Sequence, residues 1–216
     1  MKTPKIFLTA LFVVFYTVTF AQVKVSDASS PHNFLAESWT TEICNVCHTP
    51  HNAVTTLLPL WSHATSAETF TYYWSPTLDG DFIDSSGATV TAASGATGSI
   101  GGASGLCLGC HDGTSFLDDF HNGPGSPSVT IGSVDGNFGT DLTDDHPISI
   151  IYVDGGTTQM IDSESVAPGY LFPTATANVV TVECASCHSL HRPVTGTTLL
   201  RVDNSASALC LDCHDK

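Results

Sequence analysis

Apolar residues are distributed unevenly along the chain. A long, predominantly apolar run covers residues 6–20, and later apolar stretches are short and separated by Gly, Asp and Pro. The β-prone runs at residues 128–131 and 148–153, with turn signals such as Asp154-Gly155-Gly156, predict small hairpins. Residues 86–105 have low complexity and predict a flexible surface loop. The pattern therefore predicts a mostly irregular fold with few short helices and small β-hairpins.

The first 21 residues have the features of a secretory signal peptide. Lys2 and Lys5 form a positive segment, the apolar run follows, and residues 19–21 resemble a small-x-small cleavage site. The alternative is a membrane anchor, but fifteen residues fall short of the roughly 20 that cross a bilayer. We therefore expect export, a mature chain that begins at Gln22, and no membrane span after removal of the signal.

The charge balance is strongly acidic. Six Lys and Arg face 21 Asp and Glu, which gives a formal charge of −15, and removal of Lys2 and Lys5 would leave −17. Nucleic-acid binding is excluded, because neutralisation of phosphates needs clustered Lys and Arg. Charged residues make up only 12% of the chain, which also argues against a coiled coil or a helical surface covered by ion pairs.

All eight cysteines belong to C-x-x-C-H motifs, which is the attachment signature of c-type haem. Two thiols three residues apart lie on one face of a helical turn, where they can add to the two vinyl groups of one porphyrin, and the next residue places its imidazole under the iron. Zinc is the first alternative, but its usual ligand sets do not require His directly after each pair. Disulfides, common in exported chains, are the second. The sequence predicts four covalent haem c groups, held by motif 1 (Cys44, Cys47, His48), motif 2 (Cys107, Cys110, His111), motif 3 (Cys184, Cys187, His188) and motif 4 (Cys210, Cys213, His214).

The sixth iron ligands are expected to be histidines as well. Met160 is the single methionine of the predicted mature chain, so at most one iron could have His/Met ligation. Iron with two imidazole ligands has no open site for a substrate, which favours electron transfer over catalysis. His51 and His191 each follow the His of a motif by three residues. Such a residue cannot reach the opposite face of the same iron, so each is expected to serve a neighbouring haem.

The motifs repeat as two pairs. Residues 44–51 and 184–191 both read C-x-x-C-H-x-x-H, and residues 106–112 and 209–215 both read L-C-L-x-C-H-D. We interpret this as a duplication, with dihaem units at 44–112 and 184–214, a linker at 113–183, and one tetrahaem domain over 22–216. Ser104 and Ser207 precede motifs 2 and 4 and are predicted helix N-caps. Because 195 residues must enclose four haems, we expect the porphyrins to form the interior in place of a large apolar core, with Trp39, Trp61 and Trp74 against them.

These motifs, together with Ser-Pro-His-Asn-Phe at 30–34, Pro-Leu-Trp-Ser-His at 59–63 and Asp-His-Pro-Ile-Ser at 145–149, resemble the secreted multihaem cytochromes with doubled C-x-x-C-H motifs. Within that group the chain is similar to tetrahaem cytochromes that polymerise into extracellular filaments. The resemblance implies a multihaem cytochrome c fold wrapped around a stack of four haems, bis-His irons, and one distal His donated by the next subunit. It implies the distal ligands His32, His51, His146 and His191, with His32 as the intersubunit donor. His63 is the reserve ligand, and His121 matches no motif of the family.

Three classes of function follow from these observations. The first is a filament that carries electrons outside the cell or at its surface, and the second is a soluble periplasmic shuttle between redox proteins. The third, a haem enzyme, is not expected because spare imidazoles are present for every iron. Chains with a formal charge of −17 repel one another, so a homopolymer needs apolar contacts, haem stacking and an intersubunit ligand, and divalent cations at the subunit contacts would help. An acidic monomer instead suits a basic patch on a redox partner.

Overall fold

The regular elements of this chain are few and short. The computed structural model describes residues 24–54, 60–134, 136–157, 159–194 and 197–215. Residues 1–21, the predicted signal peptide, lie outside these ranges. The α-helices in the described part are α1 Gly102–His111, α2 Cys184–Cys187 and α3 Ala208–Leu211, and short 3₁₀ turns occur at Phe34–Ala36, Ser163–Ser165 and Ser205–Ser207. All three α-helices carry cysteines of the C-x-x-C-H motifs.

Short antiparallel strands form two sheets between motifs 1 and 3. The strands are β1 Phe70–Thr71, β2 Phe82–Ile83, β3 Thr89–Val90, β4 Thr97–Gly98, β5 Ile150–Ile151, β6 Phe172–Pro173 and β7 Val180–Val182. β1 pairs with β4, and the larger sheet has the order β3-β2-β5-β7-β6. Phe82 pairs with Ile150, and Ile150 pairs with Val182. Directly paired residues face the same side of a sheet, and all three of these side chains are buried.

A hydrophobic core covers this face of the larger sheet, in contrast to the expectation of no large apolar core. The stacked rings of Tyr72 and Phe82 lie near its centre, with their centroids 4.4 Å apart, and the Tyr72 hydroxyl donates a 2.7 Å hydrogen bond to the carbonyl oxygen of Ser99. The buried members are Phe70, Tyr72, Phe82, Ile100, Leu108, Leu142, Ile150, Tyr152, Val166, Tyr170 and Val182. Most of them come from the segments between the motifs, so these segments form a protein core of their own. Trp74, which was expected to pack against a porphyrin, is 42% exposed.

The hydrophobic pattern predicted some of these elements correctly. The run at 148–153 contains β5, and Gly155 and Gly156 form the predicted turn with φ values of +68° and +67°. The run at 128–131 contains only an isolated bridge, from Thr130 to Phe116. Few short helices and small antiparallel sheets are the architecture that the sequence predicted.

The prediction of a flexible loop at 86–105 was wrong. This segment contains β3, β4 and the start of α1. Asp84 accepts hydrogen bonds from the backbone N–H groups of Ser86 and Ala88, and Asp81 accepts one from Ala92. The carboxylates of Asp81 and Asp84, which precede the segment, therefore fix its backbone, although the composition of residues 86–105 is typical of a flexible loop.

The predicted helix N-caps were only partly correct. Ser207 is the N-cap residue of α3, but it has φ +63° and its side chain makes no capping bond. Ser104 lies inside α1, whose N-cap is Gly101. A side chain on Gly101 would collide with the backbone of Asp84, so close packing on the β2–β3 turn determines where this helix begins.

Within the ranges that the structure describes, no helix combines the length and apolar character needed to cross a membrane.

Candidate haem-binding sites

Motif 1 is held by a backbone pairing with the segment that follows it. The Thr49 N–H donates to the carbonyl oxygen of Leu60 at 2.9 Å, and the Ser62 N–H donates to the carbonyl oxygen of Cys47 at 2.9 Å. The chain therefore folds back antiparallel just after the motif, and this pairing positions its His.

Motif 3 is held in the same way. The Ser189 N–H donates to the carbonyl oxygen of Leu199 at 2.7 Å, and the Arg201 N–H donates to the carbonyl oxygen of Cys187 at 2.9 Å. Donors and acceptors occupy the same positions relative to the motif as in motif 1.

Two further features show that the segments following motifs 1 and 3 have the same backbone structure. Leu60 and Leu199 both have a left-handed backbone, with φ of +57° and +58°, which is uncommon for a residue other than Gly. Val54 donates its N–H to Trp61, and Val194 donates to Leu200, both at 2.8 Å. The repeated C-x-x-C-H-x-x-H sequence thus forms one repeated structure, with a return segment one residue shorter in the second copy.

Each motif makes a helical turn that brings its two thiols and its imidazole together. The N–H of the motif His donates to the carbonyl oxygen of the first Cys, at 2.8 Å for His48, 3.0 Å for His188 and 2.9 Å for His214. In motif 2 the five residues are the last five of α1. Gly109 within motif 2 also allows close packing, because a side chain there would collide with the carbonyl oxygen of Ala64.

Motifs 1, 2 and 3 lie next to one another in chain order. Burial raises the pKa of the Cys110 thiol to about 12, and the nearby Cys47 thiol adds to the shift. Cys107, in the same helix, lies next to Cys184 of motif 3, whose N–H donates to the Ser104 hydroxyl in the first turn of that helix. Sulfurs attached to haem are thioethers and do not titrate. The contribution of Cys47 to the pKa of Cys110 in the haem-free chain therefore indicates only that the two thiols lie close together.

Motif 4 continues this order. Burial raises the pKa of the Cys213 thiol to about 11, and the neighbouring Cys187 thiol contributes. Cys187 itself has a raised pKa, first through burial and then through Cys184 and Cys210. The four motifs therefore follow one another in space as they do in the sequence.

A buried carboxylate joins motifs 2 and 3. Glu183 is 2% exposed, and its carboxylate accepts hydrogen bonds from the Ser104 N–H at 3.0 Å, the Ser104 hydroxyl at 2.5 Å and the Thr181 hydroxyl at 2.7 Å. The Ser104 hydroxyl in turn accepts a bond from the Cys184 N–H at 2.9 Å, and the Ser186 hydroxyl accepts one from the Glu183 N–H at 2.8 Å. This network ties the first turn of α1 to α2.

Burial raises the pKa of Glu183, and the hydrogen bonds offset part of that rise. No sequence motif marks Glu183 as a buried residue. Its only signal in the sequence is its position, as an acidic residue directly between an apolar run and motif 3.

The imidazoles of motifs 2 and 3 are oriented by backbone carbonyl groups. The Nδ1 atom of His111 lies 2.5 Å from the Gly136 carbonyl oxygen, and Nδ1 of His188 lies 2.9 Å from that of Thr198. Because a carbonyl oxygen can only accept, Nδ1 carries the proton and Nε2 keeps its lone pair. Histidines that bind metals typically use this arrangement.

Two of the predicted distal histidines lie beside motif imidazoles. The rings of His48 and His191 have centroids 6.2 Å apart and planes inclined by 24°, and the rings of His32 and His111 have centroids 5.9 Å apart and planes inclined by 33°. Burial lowers the pKa of His32 to about 4, with His111 and His188 contributing. The family resemblance implies His32 as a ligand of a haem in the neighbouring subunit, and this assignment stays a prediction. Within one chain, the ring of His32 lies next to that of His111.

The other two predicted distal histidines are less closely defined. Desolvation lowers the pKa of His146, and the neighbouring His214 lowers it further, against a hydrogen bond to Pro147 that raises it. His51 is exposed, and its carbonyl oxygen accepts a 2.6 Å hydrogen bond from the Thr49 hydroxyl. Their roles as ligands stay predictions.

The two histidines outside the chosen ligand set have protein partners. His63 is 1% exposed, and its Nε2 atom lies 3.3 Å from the Leu117 carbonyl oxygen and 3.4 Å from the Cys110 sulfur. Its Nδ1 atom contacts a second carbonyl oxygen at 2.7 Å. The Nε2 atom of His121 lies 3.3 Å from the side-chain amide of Asn52. The reserve assignment of His63 as a ligand stays a prediction, and its contacts favour a hydrogen-bonded core residue.

The two alternatives to haem gain no support from the geometry. All eight cysteines are among the described residues, and none forms a disulfide. Over the described ranges, no three or more His, Cys, Asp and Glu side chains converge as ligands of a bare metal ion.

Asp112 directly follows the motif 2 His and offers a test of the local structure. It is 1% exposed, and its carboxylate accepts hydrogen bonds from the Thr114 N–H at 2.9 Å, the Ser115 N–H at 2.7 Å and the Ser115 hydroxyl at 2.7 Å. We expect Asp112→Ala to lower the free energy of unfolding by about 2 to 3 kcal/mol, because the partly buried N–H and hydroxyl donors of this turn lose a charged acceptor. Denaturant titration of the haem-loaded protein measures this loss.

The sequence repeat supplies a matched control for Asp112. Asp215 has the same position after motif 4 but is exposed, so Asp215→Ala should change stability by less than about 0.5 kcal/mol. Equal effects of the two substitutions would contradict the assigned role of Asp112.

Comparison with known proteins supports the interpretation of the motifs. The family model described as "Doubled CXXCH motif" matches residues 177–216, which contain motifs 3 and 4. No curated protein matches this chain significantly. The doubled motif implies covalently bound haem c and indicates a multihaem c-type cytochrome that takes part in electron transfer. The paired rings of His48 with His191 and of His32 with His111 are consistent with bound haem. The Nδ1 atoms held by carbonyl oxygens in motifs 2 and 3 are consistent with it as well.

Proposed function

We propose that this chain is a tetrahaem electron carrier in which all four C-x-x-C-H motifs hold haem c with two imidazole ligands on each iron. When bound, haem iron supplies reversible one-electron chemistry. The observation that carries the proposal is the spatial order of the motifs, in which Cys47 lies near Cys110, Cys107 lies near Cys184, and Cys187 lies near Cys213. Groups attached to these sulfurs would form one continuous row.

The folded repeat supports haem attachment at motifs 1 and 2, which lie outside the matched residues 177–216. Motif 1 shares its backbone pairing and its left-handed Leu with motif 3, as Leu60 and Leu199 show. Motif 2 ends a helix that the Glu183 network joins to motif 3. Two motifs that fold alike support the same attachment chemistry.

We propose further that the chains polymerise into an extracellular filament that conducts electrons. Exposed apolar side chains supply contact area for a second copy, among them Leu60, Trp74, Phe116 and Phe138, each at least 40% exposed. The formal charge of −17 expected for the mature chain opposes assembly, so divalent cations at the subunit contacts should favour it.

A second candidate is a monomeric shuttle in the periplasm. The acidic charge favours it, because an acidic carrier docks readily on the basic patch of a redox enzyme. Both candidates lack catalysis at iron, since neither leaves an open coordination site for a substrate.

Electron microscopy of the haem-loaded protein distinguishes the two candidates. We expect unbranched fibres with a regular repeat at high protein concentration with millimolar Ca²⁺, and shorter fibres after chelation. Sedimentation provides the quantitative measure, with a fast polymer fraction that decreases as the chelator is added. A protein that remains monomeric under all these conditions would contradict the filament and support the shuttle.

A further inference from the structure

We infer that His191, from the second predicted dihaem unit, is the distal ligand of the motif 1 haem in the same chain, and that His32 is the distal ligand of the motif 2 haem. This inference rests on the proposed haem binding and deepens it by assigning ligands to individual irons. It places His32 inside its own chain, in contrast to its assignment to the next subunit.

The separation of the imidazole rings carries the inference. Imidazole nitrogen binds a transition metal at about 2 Å, so two rings on opposite sides of one ion have centroids about 6 Å apart. The centroids of His48 and His191 are 6.2 Å apart, and those of His32 and His111 are 5.9 Å apart. Ordinary aromatic contacts also span about 4.5 to 7 Å, so the distance alone does not distinguish a pair of iron ligands from two packed rings.

The position of each His in the sequence makes this distinction. Each pair joins a His that directly follows a C-x-x-C with a His that does not, which is the composition required for one proximal and one distal ligand. Two proximal rings, or two non-proximal ones, could not ligate a single haem c iron. The His48 and His191 planes are inclined by 24°, an angle that two rings bound to one ion through their in-plane nitrogens can also have.

The hydrogen bonds of the His32 and His111 pair agree with this role. Nδ1 of His111 is bonded to the Gly136 carbonyl oxygen, which leaves Nε2 available for a metal. The Nδ1 atom of His32 is buried without a hydrogen-bond partner. A buried ring with an unsatisfied nitrogen is costly, and ligation of that ring provides a reason for its position.

Chain connectivity explains why His191 serves motif 1. His191 follows His188 by three residues, at the end of the turn that carries motif 3. It therefore cannot reach the opposite face of its own haem, and the nearest motif ring described for it is that of His48. Ligation of the motif 1 iron by His191 would join residues 44–112 and 184–214 into one structural unit. By the symmetry of the repeat, His51 would then serve the motif 3 haem, and His146 remains for motif 4.

Carbon monoxide binding to the reduced, haem-loaded protein tests the assignment. The wild-type protein should bind no carbon monoxide, because every iron has two imidazole ligands. His191→Ala and His32→Ala should each open one iron and bind about one carbon monoxide per chain. His121→Ala, which removes a ring held by Asn52, is the matched control and should bind none.

Variants that combine a His substitution with the loss of one motif's two cysteines identify the iron that is opened. Adding Cys44→Ser and Cys47→Ser to His191→Ala should abolish the new carbon monoxide site, whereas adding Cys184→Ser and Cys187→Ser should leave it. Adding Cys107→Ser and Cys110→Ser should abolish the site opened by His32→Ala. Loss of that site with Cys210→Ser and Cys213→Ser instead would overturn the assignment within one chain and support an intersubunit ligand at motif 4.

Carbon monoxide binding by the wild-type protein would contradict the proposed bis-His ligation itself, so the two failures are distinguishable. If an Ala variant does not incorporate haem, His191→Met and His32→Met provide the second measurement. Each should keep six-coordinate iron and raise the reduction potential of one haem. An unchanged set of four potentials in either Met variant would overturn the corresponding assignment.

Discussion

The double substitution Cys44→Ser and Cys47→Ser is expected to lower the covalent haem content from four groups per chain to three. The thiolate is the nucleophile of cysteine, and a serine hydroxyl cannot replace it in the addition to a vinyl group. Motif 1 gives the most informative test because it lies outside residues 177–216, where the family model matches. Its haem is predicted from the sequence repeat and from the loop that it shares with motif 3.

Intact mass and the pyridine haemochrome spectrum measure this content, on protein produced in a host that matures c-type cytochromes. Asn45→Ala, a substitution between the two cysteines, is the control and should keep all four groups. Cys184→Ser with Cys187→Ser should also lose one group, since motif 3 belongs to the matched region. A wild-type chain with only two covalent haems would contradict the proposal for motifs 1 and 2.

Replacement of the buried carboxylate by Glu183→Ala is expected to lower the free energy of unfolding by about 3 kcal/mol. The substitution removes the acceptor of the Ser104 N–H, the Ser104 hydroxyl and the Thr181 hydroxyl, all inside the protein. The contact between α1 and α2 should loosen with it, and this contact joins the two dihaem units. Denaturant unfolding followed by circular dichroism measures the loss.

The pH dependence of stability identifies the role of the Glu183 charge. Because burial raises the pKa of Glu183 in the folded chain, its stabilising contribution is fully present below the unfolded pKa of about 4.3 and declines as the pH rises through the folded pKa. Glu183→Gln does not titrate. The stability of the wild type relative to Glu183→Gln should therefore be greatest at low pH and decrease towards neutral pH.

An exposed glutamate completes the test of Glu183. Glu164 lies on the surface, so Glu164→Ala should change stability by less than about 0.5 kcal/mol. A loss for Glu183→Ala as small as that for Glu164→Ala would contradict the proposed network. A stability difference between the wild type and Glu183→Gln that does not change with pH would contradict the pKa argument alone.

The spacing of the motifs predicted the chemistry of this chain well but predicted little about how the chain packs. C-x-x-C-H specifies a helical turn of five residues, and such a turn is stabilised by its own backbone bonds, as the bond from the His214 N–H to the Cys210 carbonyl oxygen shows. The L-C-L-x-C-H-D repeat places Asp112 and Asp215 at the same position after a motif, yet Asp112 is buried and Asp215 is exposed. Burial depends on distant segments, which a local repeat does not describe.

The segments between the motifs were the least predictable part. Residues 86–105 have the composition of a flexible linker, but Asp81 and Asp84 bind their backbone N–H groups and two strands and a helix start form there. The sequence did not predict the hydrophobic core of the described residues, most of which comes from the segments between the motifs. Strands of two or three residues carry too short a hydrophobic period to be recognised, because their pairing partners lie far away in sequence.

The sequence by itself determined the attachment chemistry, the acidic charge and the duplication of the motifs, because each of these depends on residue type and on spacings shorter than one loop. Only the tertiary structure decided which imidazoles face each other and that Glu183 joins the two halves. Those contacts link residues such as His48 and His191, which lie far apart in the chain. Their proximity depends on the packing of the whole domain, and no local pattern records it.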